Sequence, residues 1–168
     1  MTSHTRTYSW ADPEFDPEKI RHLSGLEYLQ AIARGELPAA PIGATLGMER
    51  PRPEDVQEGR VVFHLKPQNF QYNPIGSVHG GVYATLIDSA VACAIHTTLP
   101  AGATYTTLEL KVNYIRPLIA GGPEVQAIGQ VVHVTRQTGV AEGRIVDDQG
   151  RIYAHATTTC LIMRPPRH

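Results

Sequence analysis

Residues 80–96 read Gly-Gly-Val-Tyr-Ala-Thr-Leu-Ile-Asp-Ser-Ala-Val-Ala-Cys-Ala-Ile-His, and this stretch decides the fold. Placed on a helix, its apolar side chains occupy nearly every side and leave almost no polar face. A helix that is apolar all round is a buried helix. The sequence therefore predicts a long central helix from Gly80 to His96, with a single carboxylate, Asp88, inside it.

Four segments rich in Thr, Val, Ile and Tyr follow this helix. They cover about residues 103–116, 124–136, 140–147 and 151–163, and Gly-, Pro- and Asp-containing turns separate them. Consecutive strands joined by short turns predict an antiparallel meander. Such a sheet and one apolar helix predict an α+β fold in which the sheet wraps around the helix.

The first of these strands alternates cleanly between two faces. One face is predicted to hold Thr104, Thr106, Leu108, Leu110, Val112 and Tyr114. The other face is predicted to hold Tyr105, Thr107, Glu109, Lys111 and Asn113.

The N-terminal part predicts a tail and one amphipathic helix. Residues 1–15 show no period and predict a flexible tail. Asp16-Pro17, a capping box at Ser24-Gly25-Leu26-Glu27 and a stop at Gly35 predict a helix over 16–35. Residues 16–168 then form one domain with its core at 40–163. Two short strands are expected before the central helix, at Ala44 to Met48 and at Arg60 to Leu65.

Composition excludes several classes of protein. The 168 residues include Lys+Arg 15 and Asp+Glu 16, for a net charge of −1, so no basic surface for nucleic acid is expected. No apolar run reaches the about 20 residues of a membrane span, and the N-terminal residues do not have the pattern expected of a secretory signal. Cys93 and Cys160 lack metal-site spacing and are predicted to be buried thiols in a reducing cytoplasm. We expect neither a metal nor another cofactor.

The segment that leads into the central helix has the features of a site for a carbonyl oxygen. It reads Asn73-Pro74-Ile75-Gly76-Ser77-Val78-His79-Gly80-Gly81. A helix N-terminus presents unpaired N–H groups and partial positive charge, and glycines allow a ligand to approach them. Taken alone, the Gly80-Gly81 pair is more typical of a tight turn into a buried helix.

Asp88 makes a functional interpretation stronger. It lies about two turns into the helix, too far in to cap its N-terminus. A carboxylate there, with no cation on its own helix, is costly, and desolvation is expected to raise its pKa. The alternative is an Asp that accepts hydrogen bonds from a facing strand or lies at a solvent-filled slot. A catalytic role for Asp88 is favoured over this structural alternative, because perturbed carboxylates in apolar clefts are the usual bases or nucleophiles.

If both Gly80 and Asp88 act on the substrate, their spacing predicts that they come from different chains. Gly80 and Asp88 are separated by roughly 12 Å along a helix. One acyl carbon cannot contact both, since attack and oxyanion binding each need about 3–3.5 Å. Two antiparallel helices related by a two-fold axis would bring Gly80 of one chain to Asp88 of the other. We expect a homodimer with active sites at the subunit interface, or a dimer of dimers.

At these residues the sequence resembles the hotdog-fold acyl-CoA thioesterases, specifically the phenylacetic acid degradation (PaaI-like) branch. The match comprises Asn73 six residues before His79-Gly80-Gly81, Asp88 nine residues after His79, and Leu-Glu-Leu-Lys-Val-Asn-Tyr-Ile-Arg-Pro at 108–117. It covers about residues 40–163. The resemblance implies a hotdog fold and hydrolysis of an acyl- or aryl-acyl-CoA to a free carboxylic acid and CoA.

The resemblance also implies a role for each residue of the motif. The Gly80 amide, helped by Gly81, would polarise the thioester carbonyl, and Asn73 and His79 would support its oxygen. Asp88 of the partner chain would activate water or attack directly.

Related enzymes position the water with a Ser or Thr on the strand after the helix, where this chain has Thr106 and Thr107. The alternation favours Thr106. A second branch of the superfamily has Glu at the Asp88 position and Thr where this chain has Ala92. That difference disfavours the benzoyl-type branch and leaves open whether Asp88 is a base or a nucleophile.

Coenzyme A has phosphates that a nearly neutral protein must bind with placed cations. Related enzymes bind the nucleotide at the turn that contains Arg136, where Thr138 and Gly139 could add hydroxyl and amide donors. Arg116 is a weaker candidate. Tyr83 could line or cap the acyl pocket, although packing is an equally good explanation for it.

Two other functions remain open at this point. A hotdog dehydratase or hydratase for 3-hydroxyacyl thioesters would need an acid/base pair in motifs that this chain does not show. A non-catalytic acyl-CoA sensor usually adds a DNA-binding helix-turn-helix, and residues 1–43 predict one helix without a basic recognition face.

Overall fold

The computed structural model describes residues 3–11 and 20–164. The α-helices of this part are α1 (Gly25–Arg34), α2 (Pro41–Leu46) and α3 (Gly80–His96). The strands are β1 (Val56–Gln57), β2 (Arg60–Leu65), β3 (Thr104–Tyr114), β4 (Val125–Val134), β5 (Thr138–Asp147) and β6 (Ile152–Met163). The central helix and the four strands after it are therefore confirmed, as is the strand at Arg60 to Leu65.

The sheet packs directly onto helix α3. At Gly129 on β4, an added Cβ would lie 2.2 Å from the backbone oxygen of Ala90, and at Gly143 on β5 it would lie 2.6 Å from the Val91 side chain. Only glycine allows so close an approach. Leu86, Ile87, Ala90 and Val91 are completely buried beneath the sheet.

Helix α3 is nevertheless not covered on every side. Its partly or fully exposed residues lie along one side of the helix and form an open stripe: Gly80, Gly81, Ala84, Thr85, Asp88, Ser89, Cys93 and His96. The sheet covers the opposite side, and α1 reaches only the C-terminal end, where Gly25 donates to the Leu99 carbonyl. The prediction of a helix buried all round is thus corrected, since a stripe of small and polar residues stays open in the single chain.

The sheet has the order β1-β2-β4-β5-β6-β3, and its neighbouring strands run antiparallel. Strands β4, β5 and β6 form the predicted meander. Strand β3, however, pairs with β6 instead of β4, so it lies at an edge. The connection over residues 115–124 crosses the start of α3, where Leu118 is buried and its N–H donates to the Tyr83 hydroxyl at 2.6 Å.

A β-bulge interrupts the alternation of β3. The register with β6 shifts between Thr107 and Glu109, and Leu108 is 59% exposed. Before the bulge the inward residues are Tyr105 and Thr107, and after it they are Leu110 and Val112. The predicted two-face alternation of this strand is wrong for that reason.

The capping box of the N-terminal helix is confirmed. Ser24 N–H donates to Glu27 at 2.8 Å, Glu27 N–H donates to the Ser24 hydroxyl at 3.3 Å, and Gly35 ends the helix with φ 81°. A continuous helix over 16–35 is not observed, because Ser24 is extended and α1 begins at Gly25. The predicted start at Asp16-Pro17 lies outside the described residues.

The predicted strand from Ala44 to Met48 is wrong. Residues 41–46 form helix α2, with Pro41 in its first position and Gly47 in the left-handed conformation at its end. Met48 makes only an isolated bridge to Leu65. One residue of the predicted flexible tail, Arg6, has defined contacts, since it donates to two carbonyl oxygens at the end of α2.

Candidate active site

Asp88 lies on the open stripe of α3 and faces strand β3. Thr107 Oγ1 donates to its Oδ1 at 3.2 Å. Among the described residues, Asp88 forms no ion pair. Burial raises the pKa of Asp88, and the hydrogen bond from Thr107 opposes this rise. The predicted direction of the pKa shift is confirmed.

The β3 residue at Asp88 is Thr107, not the predicted Thr106. Thr106 is exposed on the outer face of the sheet. The bulge at Leu108 explains the difference, because it changes which residues of β3 point inward. An uninterrupted alternation, counted back from Leu110, would place Thr106 beside Asp88. The bulge shifts this position to Thr107.

His79 is the N-cap of α3. Its Nδ1 accepts the Gly81 N–H at 2.9 Å, so the Gly81 amide is already used. The neutral ring then has its proton on Nε2, which is the remaining donor of His79. No acceptor for the Gly80 N–H is found in the described part of the chain. Of the two N–H groups predicted to bind an oxyanion, that of Gly81 is therefore occupied by His79, and that of Gly80 is available.

The two glycines at the helix start have little free space around them. Neither has a positive φ, so no turn geometry demands glycine there. An added Cβ at Gly80 would lie 3.2 Å from the Tyr114 ring, and one at Gly81 would lie 3.0 Å from His79 Nδ1. Side chains at both positions would push these rings away from the helix start.

Asn73 organises the loop before the helix. Its Oδ1 accepts the N–H groups of Ile75 and Ser77 at 3.0 and 3.2 Å, and its Nδ2 donates to the Ser77 hydroxyl at 3.0 Å. One amide N–H of Asn73 remains for a ligand. The loop is also fixed by His79 N–H, which donates to the Gln71 carbonyl at 2.8 Å.

A pocket of about 250 Å³ opens beside Gly80. Its lining residues are Ser77, Val78, Gly80, Tyr83, Tyr114, Ile115, Arg116 and Pro117. The Tyr83 hydroxyl donates to the Arg116 carbonyl at 3.0 Å, and the Tyr114 hydroxyl donates to the Gly80 carbonyl at 3.2 Å. The structure therefore brings the predicted Gly80, Tyr83 and Arg116 together. Tyr114 was not predicted as a site residue, although it lies in the quoted 108–117 stretch.

The predicted nucleotide-binding turn lies at the other end of α3. Gly139 is buried there, and an added Cβ would lie 2.6 Å from Ile95. Thr138 N–H donates to the Thr135 hydroxyl at 2.9 Å, and the two threonine hydroxyls lie 2.9 Å apart. The Thr138 N–H is thus used within the turn, its hydroxyl is paired with that of Thr135, and Gly139 serves helix packing. Arg136 and Arg164 are both exposed cations at this turn, and Arg164 donates to the Arg136 carbonyl at 3.1 Å.

Within one chain these groups stay apart. Ile95 is 15 residues from Gly80, so Arg136 and the pocket are separated by about 22 Å along the helix. Asp88 lies between them, and no single carbonyl could reach both Gly80 and Asp88.

The described residues contain no cluster of His, Cys, Asp or Glu suited to a metal ion. Nor is any helix in this part of the chain long and apolar enough to cross a membrane.

Comparison with protein families gives a consistent result. Residues 75–154 match the model of the Thioesterase superfamily. The chain is 39% identical over 99 residues to a Halobacterium salinarum protein named as a candidate esterase, which covers 55% of this chain and 63% of that protein. The match thus spans less than two thirds of that relative. Human acyl-coenzyme A thioesterase 13 is 29% identical over 108 residues, covering 58% of this chain and 73% of the human protein.

A solved structure shows the same architecture. The PaaI protein from the phenylacetic acid degradation operon of E. coli superposes with a TM-score of 0.69 at 26% identity, covering 84% of this chain and 96% of that protein. The superposition thus includes most of the six-stranded antiparallel sheet and the central helix of this chain. The chain therefore has the hotdog fold, and its similarities support the thioesterase superfamily as its family.

Proposed function

We propose that this protein is an acyl-CoA thioesterase of the thioesterase superfamily, which hydrolyses the thioester of an acyl- or aryl-acyl-CoA to a free carboxylic acid and CoA. The observation that supports this most strongly is Asp88. It is a partly buried carboxylate without an ion pair among the described residues, with a raised pKa, on the side of α3 that residues 3–11 and 20–164 leave open. Groups of this kind are the usual bases and nucleophiles of active sites.

The thioester carbonyl would bind at the start of α3. The Gly80 N–H and the positive end of the helix dipole would stabilise the oxyanion that forms during attack. The remaining N–H groups of His79 and Asn73 could support the same oxygen, while Gly81 would act through the His79 ring that it orients.

Asp88 would act from the partner subunit. As a base it would take a proton from water while the water oxygen attacks the carbonyl carbon, and Thr107 would orient the carboxylate. Collapse of the tetrahedral intermediate would break the C–S bond and release CoA as a thiolate that then takes up a proton. Attack by Asp88 itself through an anhydride is the other route, and the geometry is compatible with both.

Two features of the single chain support a homodimer. The open stripe of α3 consists mainly of small residues, which would allow a second helix to approach closely. Strand β3 is an edge with the exposed apolar side chains of Leu108 and Tyr114. Apposition of two such helices in antiparallel orientation would cover both stripes and create two equivalent sites. A dimer of dimers could follow.

Coenzyme A would extend from this site toward cations. Arg116 lies at the Gly80 pocket of the same chain, whereas Arg136 lies about 22 Å away along α3. In an antiparallel pair of helices, the C-terminal end of the partner's α3, beside which the turn with Arg136 lies, approaches the Gly80 end. We therefore assign the phosphates to Arg136 of the partner, with Arg116 nearer the thioester.

We further propose the PaaI-like branch and a cytoplasmic location. The branch is supported by Asp at position 88 and by the similarity to the E. coli PaaI protein. The location is supported by Cys93 and Cys160, which are both free thiols.

Release of free thiol from a panel of acyl-CoAs tests this function. Thiol release that requires the folded protein would support hydrolysis. Saturable acyl-CoA binding without thiol release would instead indicate an acyl-CoA sensor, and the thioesterase proposal would then fail.

A further inference from the structure

The bulge of β3 is held by a residue from the neighbouring strand. Thr158 on β6 is completely buried, and its hydroxyl donates to the Glu109 carbonyl at 2.7 Å. Glu109 is the residue at which the β3 register shifts. The Thr158 side chain thus supplies a hydrogen-bond donor at the position where the bulge disturbs the ladder.

The bulge decides which residue meets Asp88. With Leu110 and Val112 inward, as observed, an uninterrupted strand would also turn Leu108 and Thr106 inward. Because of the extra residue, Leu108 turns out to solvent and Thr107 points at the carboxylate. An unbulged β3 would place an apolar leucine against this side of α3 and leave the carboxylate without its donor.

We infer that Thr158 is a positioning residue of the proposed active site. Its hydroxyl holds the bulge at Leu108, and the bulge directs Thr107 to Asp88. This inference rests on the proposed function only in so far as Asp88 takes part in the reaction. The arrangement itself can be tested without any turnover.

Asp88 is a suitable reporter because its titratable neighbours are neutral near neutral pH. These neighbours are Cys93 on the same helix, Tyr105 on β3 and Cys160 on β6. Desolvation of the thiol raises the pKa of Cys93 to about 12, although the residue as a whole is partly exposed, and the pKa values of Tyr105 and Cys160 are raised as well. Since these groups are uncharged, we expect a change in the Asp88 titration to report mainly a change in the hydrogen bond from Thr107, with the Thr158 contact to Cys160 as a second influence.

The main test variant is Thr158→Val, which keeps the shape of the side chain and removes its donor. Carboxyl carbon NMR should show a higher Asp88 pKa than in the wild-type protein, because the hydrogen bond that favours the carboxylate is weakened. With acyl-CoA, kcat should fall about tenfold, the scale of losing one hydrogen bond to a charged group, while KM stays unchanged. The acid limb of the pH–rate profile should move to higher pH.

Three companion variants make the result specific. Thr158→Ser retains the hydroxyl and should restore both the Asp88 pKa and kcat. Thr157→Val makes the same change at the exposed neighbouring position on the other face of β6 and should alter neither. Thr107→Val combined with Thr158→Val should be no slower than Thr107→Val alone, since both remove the same contact.

Thr158→Ala repeats the measurement with a smaller side chain, in case Thr158→Val does not fold. An unchanged Asp88 pKa in either variant would overturn the inference, and so would additive losses in the double variant. If the wild-type protein hydrolyses no acyl-CoA but the Asp88 pKa still rises in Thr158→Val, the positioning role stands and the proposed function fails.

Discussion

Asp88→Asn is expected to lower activity and raise stability at the same time. The amide has the size of the carboxyl group and can still accept the Thr107 hydrogen bond, but it cannot ionise. If Asp88 is the base or nucleophile, turnover should fall by about 10²-fold or more. That loss corresponds to about 2.7 kcal/mol of transition-state stabilisation.

The effect on stability follows from the raised pKa of Asp88. Burial lifts this pKa above the 3.8 of a free side chain, so the folded protein binds the proton more tightly than the unfolded chain does. Stability then falls as the pH rises from 3.8 through the raised pKa, and the penalty persists at neutral pH. Removing the charge should raise Tm at neutral pH, and the gain should disappear in acid, where Asp88 is protonated in both states.

Thiol release from acyl-CoA measures the turnover, and thermal unfolding at neutral and acid pH measures the stability. Asp148→Asn is the matched control, because Asp148 is an exposed carboxylate in the β5–β6 turn and its replacement should change both quantities little. Turnover near the wild-type value, or a lower Tm at neutral pH, would refute the reasoning.

Three further outcomes are expected. Asp88→Asn and Gly80→Val chains, each nearly inactive alone, should recover about a quarter of the wild-type activity per site when they are mixed and exchange subunits freely, because each mixed dimer has one intact site. No recovery in proven mixed dimers would contradict a site shared between subunits. Arg136→Ala should raise KM for acyl-CoA with little change in kcat and should not affect short thioesters that lack the nucleotide, whereas equal losses on both substrates would remove Arg136 from the CoA site. Tyr83→Phe should destabilise the protein by about 1–3 kcal/mol in urea unfolding, because it leaves the buried Leu118 N–H without its acceptor; a change well below 1 kcal/mol would show that another acceptor replaces it.

Features that depend on nearby residues could be predicted from the sequence. The bounds of α3 follow from its continuous apolar composition, and the capping box at Ser24 follows from a four-residue pattern. Helix α2 also had local signals that the strand prediction overlooked, since Pro41 suits a first helical position and Gly47 suits a helix end.

Features that depend on distant residues could not be predicted in the same way. The position of β3 at the sheet edge depends on a connection held by Tyr83 and Leu118, which are 35 residues apart. The bulge depends on Thr158 and Glu109, which are 49 residues apart. Short-range alternation contains no information about either contact. The sequence therefore predicts β3 as part of the meander and Thr106 beside Asp88, whereas β3 lies at the edge next to β6 and Thr107 contacts Asp88.

Two departures from regular structure, the bulge of β3 and the open stripe of α3, occur beside Asp88. An uninterrupted β3 and a fully covered α3 would both favour stability, because they would pair the Leu108 backbone and remove the open stripe from water. The chain instead has a bulge opposite Asp88 and leaves the carboxylate on the uncovered side of the helix. Natural proteins depart from local rules mainly where function requires it. Both departures lie beside Asp88, and this agrees, independently of sequence similarity, with the catalytic role proposed for that residue.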